Sequence, residues 1–412
     1  MINEKTRDFI LRNRLEDVRK LALKKAPEGV DLPMALQQIE GWQTAVRKLP
    51  SWAEREGLWF PPRLAMEQCS SEQTASYKHA LVKRLLHIGD TPADGTMMDL
   101  TGGFGIDFSF IAPLFTRAVY MERQPELCRI ARHNFTVLHL DQAEVREGDS
   151  SNKPQEWPDA ELCFIDPARR DAAGHKTVAI EDCTPDLTVL QDSIHRKARL
   201  CLIKLSPMLD IQAALRVLHG ISEVHAVCVQ NECKELLLVA THPLAHPVAF
   251  HCVDMEKERT TYFTFTAEEE KKADCSYAQS VGKYLYEPNA AILKCGGYRI
   301  LAARYGLCKL HPNSHLYTSN LLREDFPGRT FQIENVSGFG KKEVSKMLQG
   351  TSQANLTVRN FPATVADLRK RLRLKDGGDI YLFATTLDNG EHVLLRCRKV
   401  SPTAMTRLCQ QP

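Results

Sequence analysis

Two spacings of apolar residues alternate along the middle of the chain and together predict a parallel sheet. Short apolar runs predict strands, and longer segments with apolar residues every three or four positions predict helices. The predicted strands are residues 96–99, 118–122, 143–149, 162–166, 200–204, 224–229 and 236–240. Strands that alternate with helices form a parallel sheet covered on both faces. The short connection between the last two runs predicts an antiparallel hairpin at the sheet edge.

The regions on either side of this alternation have different patterns. Residues 1–66 carry helical apolar stripes and predict a helical N-terminal extension. Residues 248–319 predict a connecting segment that begins with a strand pair, and residues 320–412 predict a further α+β module, in which Asn389-Gly390 indicates a hairpin. We therefore expect four parts, with the parallel sheet in residues 67–247.

Length and composition narrow the class of protein. The chain of 412 residues is long enough for two or three domains. It has neither an apolar segment of signal-peptide type at its N-terminus nor an apolar run of membrane-spanning length. The 13 cysteines are scattered, odd in number and free of Cys-x-x-Cys pairs, as expected of reduced thiols. These features predict a cytoplasmic protein without a membrane or metal partner, and they leave the oligomeric state open.

The net charge of +3 hides an asymmetry along the chain. Residues 276–412 contain 20 Lys and Arg against 10 Asp and Glu, whereas residues 1–275 contain 34 against 41. A basic third attached to an acidic body indicates that the C-terminal part contacts an anionic polymer. A solvated basic surface without a partner is the alternative.

A turn of small residues follows the first predicted strand. Residues 96–105 read Thr-Met-Met-Asp-Leu-Thr-Gly-Gly-Phe-Gly, and a helix is predicted directly after them. An open α/β sheet binds nucleotide-like ligands at such a turn, where Gly103 and Gly105 allow close approach of the backbone. The dinucleotide fingerprint requires a third glycine where Phe108 stands, and no P-loop sequence occurs. An ordinary strand–turn–helix is the alternative for this stretch taken alone.

Acidic residues end three consecutive predicted strands. They are Asp99, Glu122 and Asp149. Glu122 lies 17 residues beyond Gly105, at the position where a carboxylate can accept hydrogen bonds from both ribose hydroxyls. Asp149 is placed to reach an adenine amino group. A single acid at a strand end is commonly a solvated cap, but three together indicate a nucleoside site.

The spacing Asp-x-x-x-Gly-x-Gly from Asp99 to Gly105 resembles motif I of class I S-adenosylmethionine-dependent methyltransferases. The resemblance covers about residues 67–245 and includes the acid after the second strand and an Asp-Pro after the fourth. It implies a Rossmann-like, seven-stranded α/β sheet and S-adenosyl-L-methionine as cofactor, with Asp99 orienting the turn or binding the methionine amino group. The implied cofactor-binding residues are Asp99, Thr101, Gly102, Gly103, Phe104, Gly105, Glu122, Asp149 and Ser150.

Asp166-Pro167 resembles the start of the Asn/Asp-Pro-Pro-Tyr motif of methyltransferases that act on a base nitrogen. The resemblance implies that Asp166 and a backbone carbonyl held by Pro167 accept hydrogen bonds from the attacked amine. Arg169 replaces the aromatic residue, so Arg169 and Phe104 are the candidates for stacking on a base. The variant is also similar to the Asp-Pro-Pro-Arg of uridine C5 methyltransferases, but these need a cysteine directly before an Asn-Pro after the next strand, where this chain has Leu205-Ser206-Pro207. We therefore favour nitrogen over carbon.

Basic residues indicate where a polyanionic substrate would bind. Arg169, Arg170 and Lys204 lie at the predicted ends of the fourth and fifth strands, where they could hold substrate phosphates or form structural ion pairs. A predicted helix at 362–374 places three basic side chains on one exposed face, which indicates phosphate contact, with a solvated face as the alternative. These three residues are Arg369, Lys370 and Arg373.

Short runs in the C-terminal third resemble a bacterial methyltransferase group. The runs include Tyr286-Glu-Pro-Asn289, Ser314-His-Leu-Tyr-Thr318 and Asn360-Phe-Pro362. Members of that group carry a ferredoxin-like segment and a THUMP-like domain after the catalytic domain. This resemblance implies a ferredoxin-like segment in residues 248–319, a THUMP-like RNA-binding domain in residues 320–412, and RNA as substrate.

The sequence therefore predicts a methyltransferase that modifies a structured RNA, tRNA or rRNA, at a base nitrogen. The first alternative is a methyltransferase that acts on a protein or a small molecule. The second is a non-enzymatic RNA-binding protein with a vestigial cofactor site.

Overall fold

The computed structural model describes residues 2–169, 180–241, 247–257 and 259–400, except for the side chain of Arg169. The chain divides into two compact units. The first comprises Met1–Ser222 and Leu237–Ala245, and the second comprises Glu223–Leu236 and His246–Pro412. Within the described part of the chain, no helix is long and apolar enough to cross a membrane.

Helices and strands alternate through the middle of the chain as the sequence predicts. The helices are α1 (Glu4–Asn13), α2 (Val18–Ala22), α3 (Leu32–Lys48), α4 (Pro50–Ala53), α5 (Arg63–Gln68), α6 (Glu72–Leu85), α7 (Ile106–Ile111), α8 (Pro125–Val137), α9 (Leu187–Lys197), α10 (Ile211–Val217), α11 (Ala267–Lys272), α12 (Ala290–Cys295), α13 (Tyr298–Tyr305), α14 (Lys341–Met347) and α15 (Val365–Leu372). The strands are β1 (Ala93–Asp99), β2 (Phe115–Glu122), β3 (Ala143–Glu147), β4 (Ala160–Ile165), β5 (Ala168–Arg169), β6 (Cys183–Thr184), β7 (Ala198–Leu205), β8 (Ile221–Val229), β9 (Glu232–Thr241), β10 (Ala249–Met255), β11 (Thr260–Thr266), β12 (Tyr284–Pro288), β13 (Cys308–Lys309), β14 (Tyr317–Ser319), β15 (Gly328–Ser337), β16 (Asn355–Arg359), β17 (Ile380–Thr386) and β18 (His392–Lys399).

The larger sheet contains nine strands, in the order β11-β10-β8-β9-β7-β4-β1-β2-β3. Strands β3, β2, β1, β4 and β7 pair in parallel, which confirms the predicted α/β sheet. The predicted number of seven strands is wrong, because β10 pairs with β8 and β11 pairs with β10. The predicted hairpin between β8 and β9 turns at Gln230 and Asn231, both with positive φ, as in a tight two-residue turn. It does not form the sheet edge, because β10 and β11 lie beyond β8.

The helices that precede β1 share a core with the glycine turn. Ser71 caps α6, because its side chain accepts the Thr74 N–H. Buried side chains from α3–α6 and their connections pack against residues of the turn and of α7 and α8. This cluster contains Ala45, Leu49, Trp52, Leu58, Phe60, Met66, Ala75, Phe104, Ile106 and Ile130. The N-terminal helices therefore support the segment that follows β1.

The second unit contains a seven-stranded sheet in the order β13-β14-β12-β15-β18-β17-β16. The predicted hairpin at Asn389-Gly390 joins β17 to β18, which pair antiparallel. The segment from Ala290 to Tyr305 forms two helices, α12 and α13, separated by two glycines. Gly296 ends α12 with φ of 80°, and a Cβ on Gly297 would lie 2.6 Å from the ring of Phe265. The break therefore follows from close packing of the backbone against an aromatic ring.

Candidate active site

The turn after β1 is built around a buried carboxylate. Asp99 is 1% exposed, and its Oδ1 accepts the backbone N–H of Thr101 at 2.9 Å. Burial raises the pKa of Asp99 well above its usual value, against the opposing effect of the Thr101 hydrogen bond. The structure therefore places the Asp99 carboxylate against the backbone of the turn.

The glycines of the turn have different surroundings. A Cβ on Gly102 would lie 2.1 Å from the ring of Tyr120, and one on Gly105 would lie 3.0 Å from the ring of Phe135. Gly103 has φ of 56°, and a Cβ there would meet only the Thr101 carbonyl, at 3.8 Å. The turn is therefore closed by aromatic rings at two positions and open at Gly103.

Glu122 at the end of β2 is joined to this turn. Its Oε2 accepts the Gly103 N–H at 2.9 Å, and its Oε1 accepts the Gln124 N–H at 2.8 Å. The residue is 8% exposed. Each carboxylate oxygen can accept more than one hydrogen bond, so these contacts leave acceptor capacity for ligand hydroxyls. The structure thus brings together Asp99, Gly103 and Glu122, which the sequence assigned to one site.

Asp149 and Ser150 follow β3. The Asp149 Oδ1 accepts hydrogen bonds from the backbone N–H and the hydroxyl of Ser151, at 2.9 and 2.6 Å, and these bonds lower the pKa of Asp149. The Ser150 hydroxyl donates to the Leu100 carbonyl at 2.6 Å. Ser150 therefore contacts the turn after β1, whereas the Asp149 carboxylate is exposed and caps the short 3-10 helix that follows it.

The side chain of Phe104 does not serve as a stacking platform for a base. It is 5% exposed and packs edge-on against Trp52, with ring centroids 5.2 Å apart. Its ring belongs to the core that joins the N-terminal helices to the turn, so only its backbone borders the candidate site. The expectation that Phe104 stacks on a base is wrong, because the aromatic residues before β1 already enclose its ring. The side chain of Arg169 and the whole of Arg170 lie outside the described residues.

Asp166 connects the end of β4 to the turn. Its backbone N–H donates to the Thr101 hydroxyl at 2.6 Å, and its Oδ2 lies 2.6 Å from Nζ of Lys204. Pro167 is buried beside it. The structure therefore places the predicted catalytic carboxylate next to the predicted cofactor turn.

Lys204 belongs to a buried ionic network that the sequence did not reveal. Its side chain is 12% exposed and also pairs with Asp107 at 3.3 Å. Asp107 pairs in turn with the fully buried Lys78 at 3.1 Å and accepts the Ser70 hydroxyl at 2.7 Å. The expectation that Lys204 contacts RNA phosphates is thus corrected, because its ammonium is committed to two carboxylates.

The two lysines determine the protonation state of Asp107. Burial by itself would raise the pKa of Asp107, but the Lys78 and Lys204 ammonium groups outweigh it and lower the pKa to about 2. One signal in the sequence could have revealed the network, since Lys78 lies on the same helical stripe as Ala75 and Leu81. A lysine on an apolar stripe requires a buried partner, although the sequence does not say which one.

The predicted basic face of residues 369–373 is only partly correct. Lys370 and Arg373 are exposed. Arg373 is not helical, because α15 ends at Leu372 and Arg373 has φ of 54°. Arg369 turns away from the exposed face to pair with Asp376 at 2.7 Å and to donate to the Ala354 carbonyl.

Comparisons with known proteins show which domains and which proteins this chain is similar to. Residues 284–327 match the family of a ferredoxin-like domain, and residues 328–399 match a THUMP domain-like family. A "putative methyltransferase" of Porphyromonas gingivalis W83 has a crystal structure that is 34% identical, with a TM-score of 0.84, and covers 97% of this chain and 100% of its own. Two uncharacterized S-adenosylmethionine-dependent methyltransferases of Mycobacterium tuberculosis, strains CDC 1551 and H37Rv, are each 22% identical over 335 residues, or 81% of this chain and 86% of theirs.

The parallel sheet, the glycine turn after β1 and the carboxylates at its strand ends define a class I methyltransferase. The chain belongs to the family of S-adenosylmethionine-dependent methyltransferases that carry a ferredoxin-like and a THUMP-like domain after the catalytic domain.

Proposed function

We propose that this enzyme transfers the methyl group of S-adenosylmethionine to a base nitrogen of a structured RNA, either tRNA or rRNA. The observation that carries the proposal is the position of Asp166. Its backbone is bound by Thr101 of the glycine turn, and its carboxylate is bound by Lys204, each at 2.6 Å. An acceptor held this firmly beside the cofactor turn suits the alignment of an amine with a methyl donor.

The residues around the turn fit the cofactor. The open face at Gly103 admits a ligand close to the backbone, and the Glu122 carboxylate retains acceptor capacity for the two ribose hydroxyls. We assign the methionine amino group to Asp99 and Thr101, and the adenine amino group to Oδ2 of Asp149. The backbone at Gly102, Gly103, Phe104 and Gly105 and the Ser150 side chain complete the proposed site. When bound, the cofactor supplies an electrophilic methyl group.

In the proposed reaction, Asp166 accepts a hydrogen bond from the attacked amine and so directs the nitrogen lone pair. Lys204 fixes the Asp166 carboxylate, and Asp107 and Lys78 fix Lys204 in turn. Pro167 restricts the backbone so that its neighbouring carbonyl can act as a second acceptor. Arg169, which follows this segment, is proposed to contact the substrate. Positioning by these groups supplies much of the rate enhancement.

RNA is the proposed substrate because of the second unit. Residues 328–399 are THUMP-like, and residues 276–412 carry twice as many basic as acidic side chains. Helices α14 and α15 share one core and present exposed basic side chains. These are Lys341, Lys342, Lys346, Lys370 and Arg371, with Arg373 directly after α15. Such a surface suits phosphate contact.

The parts proposed from the sequence are a helical extension (1–66), a catalytic domain (67–247), a connecting and ferredoxin-like segment (248–319) and an RNA-binding domain (320–412).

The cysteines in the described part of the chain are all free thiols, as suits the reducing cytoplasm in which we place the reaction.

The proposal is tested by methyl transfer from labelled S-adenosylmethionine into fractionated total RNA. We expect label in one RNA size class and a nucleoside whose mass and fragmentation place the methyl group on a base nitrogen. Asp166→Ala should lower turnover by at least about tenfold, with cofactor affinity nearly unchanged, because Asp166 contacts the amine and not the cofactor.

Asp159→Ala is the matched control, because Asp159 precedes the same strand at its opposite end and is exposed. It should retain activity. Label that enters only protein or small molecules would refute an RNA substrate. Loss of cofactor binding in Asp166→Ala would place Asp166 among the cofactor contacts and would contradict nitrogen methylation.

A further inference from the structure

Two histidines and a glutamate meet on one face of the larger sheet, within the second unit. Glu223 and His225 lie on β8, two residues apart, so their side chains point to the same face. His251 lies on the neighbouring parallel strand β10, directly opposite His225. Strand register therefore brings the three side chains together, and none of them belongs to the site proposed for methyl transfer.

The distances between their polar atoms suit a shared ion. The Glu223 Oε2 lies 2.8 Å from the His225 Nε2 and 3.5 Å from the His251 Nε2. One ligand atom from each residue lies within 4.8 Å of the other two. In a tetrahedral zinc site with bonds of about 2.0–2.1 Å, neighbouring ligand atoms lie roughly 3.3–3.4 Å apart. Small side-chain movements would therefore suffice to bind one ion.

The imidazole rings define the movement that is needed. They are stacked, with centroids 4.4 Å apart and an angle of 7° between their planes. Both rings must tilt toward a common point to share an ion. The terminal torsion of histidine is broad, so this tilt does not require the strands to move.

The surroundings also favour ligation. His225 is 1% exposed, and the side chains of Glu223 and His251 are 17% and 23% exposed, so the cluster is largely buried but open on one side. The Thr264 hydroxyl lies 3.2 Å from the His251 Nδ1, where it can fix the ring with Nε2 directed toward Glu223. Second partners of this kind orient histidine ligands in metal sites.

We propose that Glu223, His225 and His251 bind a divalent transition-metal ion of the zinc type. Two imidazoles and a carboxylate are a ligand set that zinc accepts, with a fourth position for water or another donor. The proposal departs from the sequence-based expectation of no metal. Composition did not suggest it because the histidines are 26 residues apart and become neighbours only through strand pairing.

The test is Zn²⁺ binding to the full-length protein after treatment with a chelator, measured by calorimetry with a competing chelator. We expect one tight equivalent in the native protein. His251→Gln and His225→Gln should each weaken it by at least about tenfold. His219→Gln is the control, because His219 is an exposed histidine outside the cluster. Binding should also weaken below about pH 6, since imidazole must lose its proton to bind metal.

Co²⁺ provides a second measurement on the native protein alone and does not depend on the folding of any variant. We expect the visible spectrum of a four-coordinate site with nitrogen and oxygen ligands. Absence of binding, equal Zn²⁺ affinity of the native protein and His251→Gln, or intense Co²⁺–thiolate bands would each overturn the proposal. The cluster would then be a hydrogen-bonded histidine–carboxylate group.

Discussion

Lys78 and Asp107 show how much a single buried pair can matter in this protein. Lys78 is fully buried and pairs with Asp107 at 3.1 Å. Lys78→Met would remove one of the two ammonium groups that face this carboxylate. Removal of one partner of a buried pair typically destabilises a protein by about 3–5 kcal/mol. We expect Lys78→Met to lower the free energy of unfolding, measured with urea, by this amount or somewhat less, because Lys204 still pairs with Asp107.

Lys83→Met on the same helix is the matched control for this prediction. Lys83 is 40% exposed and pairs with an exposed carboxylate. The control should change the free energy of unfolding by less than about 0.5 kcal/mol. Equal effects of the two substitutions would mean that the Lys78–Asp107 pair contributes no more than a surface pair.

The same pair predicts an acid dependence of stability. The pKa of Asp107 is about 2 in the folded protein, below the value of about 3.9 for an unfolded aspartate. The ionised Asp107 therefore makes its full contribution to the free energy of unfolding above about pH 4. This contribution is lost as the pH falls toward 2. Asp107→Asn should make the free energy of unfolding less dependent on pH over this interval, as measured by urea titration at several pH values. An unchanged pH profile would contradict the assigned pairing.

Glu122 has one observed contact in the turn and one proposed contact with the cofactor. It holds the turn through Gly103 and is proposed to bind the ribose. Glu122→Ala should weaken binding of S-adenosylmethionine or its demethylated product by about 1–3 kcal/mol, as measured by calorimetry. Glu126→Ala, in the first turn of α8, is the control and should bind normally. Equal affinity of native protein and Glu122→Ala would remove Glu122 from the ribose role.

At the scale of the element, the glycine turn predicts two different defects. A Cβ on Gly102 would collide with Tyr120, so Gly102→Ala should destabilise the fold. Gly103→Ala meets no such obstacle but requires φ of 56° and fills the open face. It should cost about 1–2 kcal/mol in unfolding and should also reduce cofactor affinity. Gly350→Ala is the control. Gly350 has φ of 76° and open space around it, so this substitution changes the free energy of unfolding through the backbone conformation alone. Normal cofactor affinity in Gly103→Ala would contradict the turn as a binding site.

The exposed basic residues at the end of α15 lead to a prediction about RNA affinity and its dependence on salt. Lys370→Gln with Arg373→Gln removes two exposed charges. It should weaken binding of every RNA tested and flatten the log–log dependence on salt by about 2. Arg369→Gln should leave that slope nearly unchanged, because Arg369 already pairs with Asp376. Lys24→Gln with Lys25→Gln, two exposed charges of the first unit, is the control. An unchanged slope in the first double variant would make this surface a solvated face.

At the scale of the whole molecule, the sequence predicted the features that depend on residues close together in the chain. The parallel strands, the turn after Asp99 and the position of Glu122 followed from apolar spacing and from the rule that strand ends meet at one sheet edge. Pairing across distant segments could not be predicted in this way. The nine-stranded sheet, the enclosure of Phe104 and the commitment of Lys204 to Asp107 and Asp166 all depend on such pairing.

The burial of Trp52 against Phe104 also has a practical consequence for spectroscopy. All four tryptophans, at positions 42, 52, 59 and 157, lie in the first unit. Trp52 contacts the glycine turn, and the indole N–H of Trp157 donates to the Ser150 carbonyl at 3.0 Å. Intrinsic tryptophan fluorescence therefore reports only on the unit that contains the proposed cofactor site. A ligand that alters this emission does so through the first unit, and the second unit can be followed separately with a dye attached elsewhere.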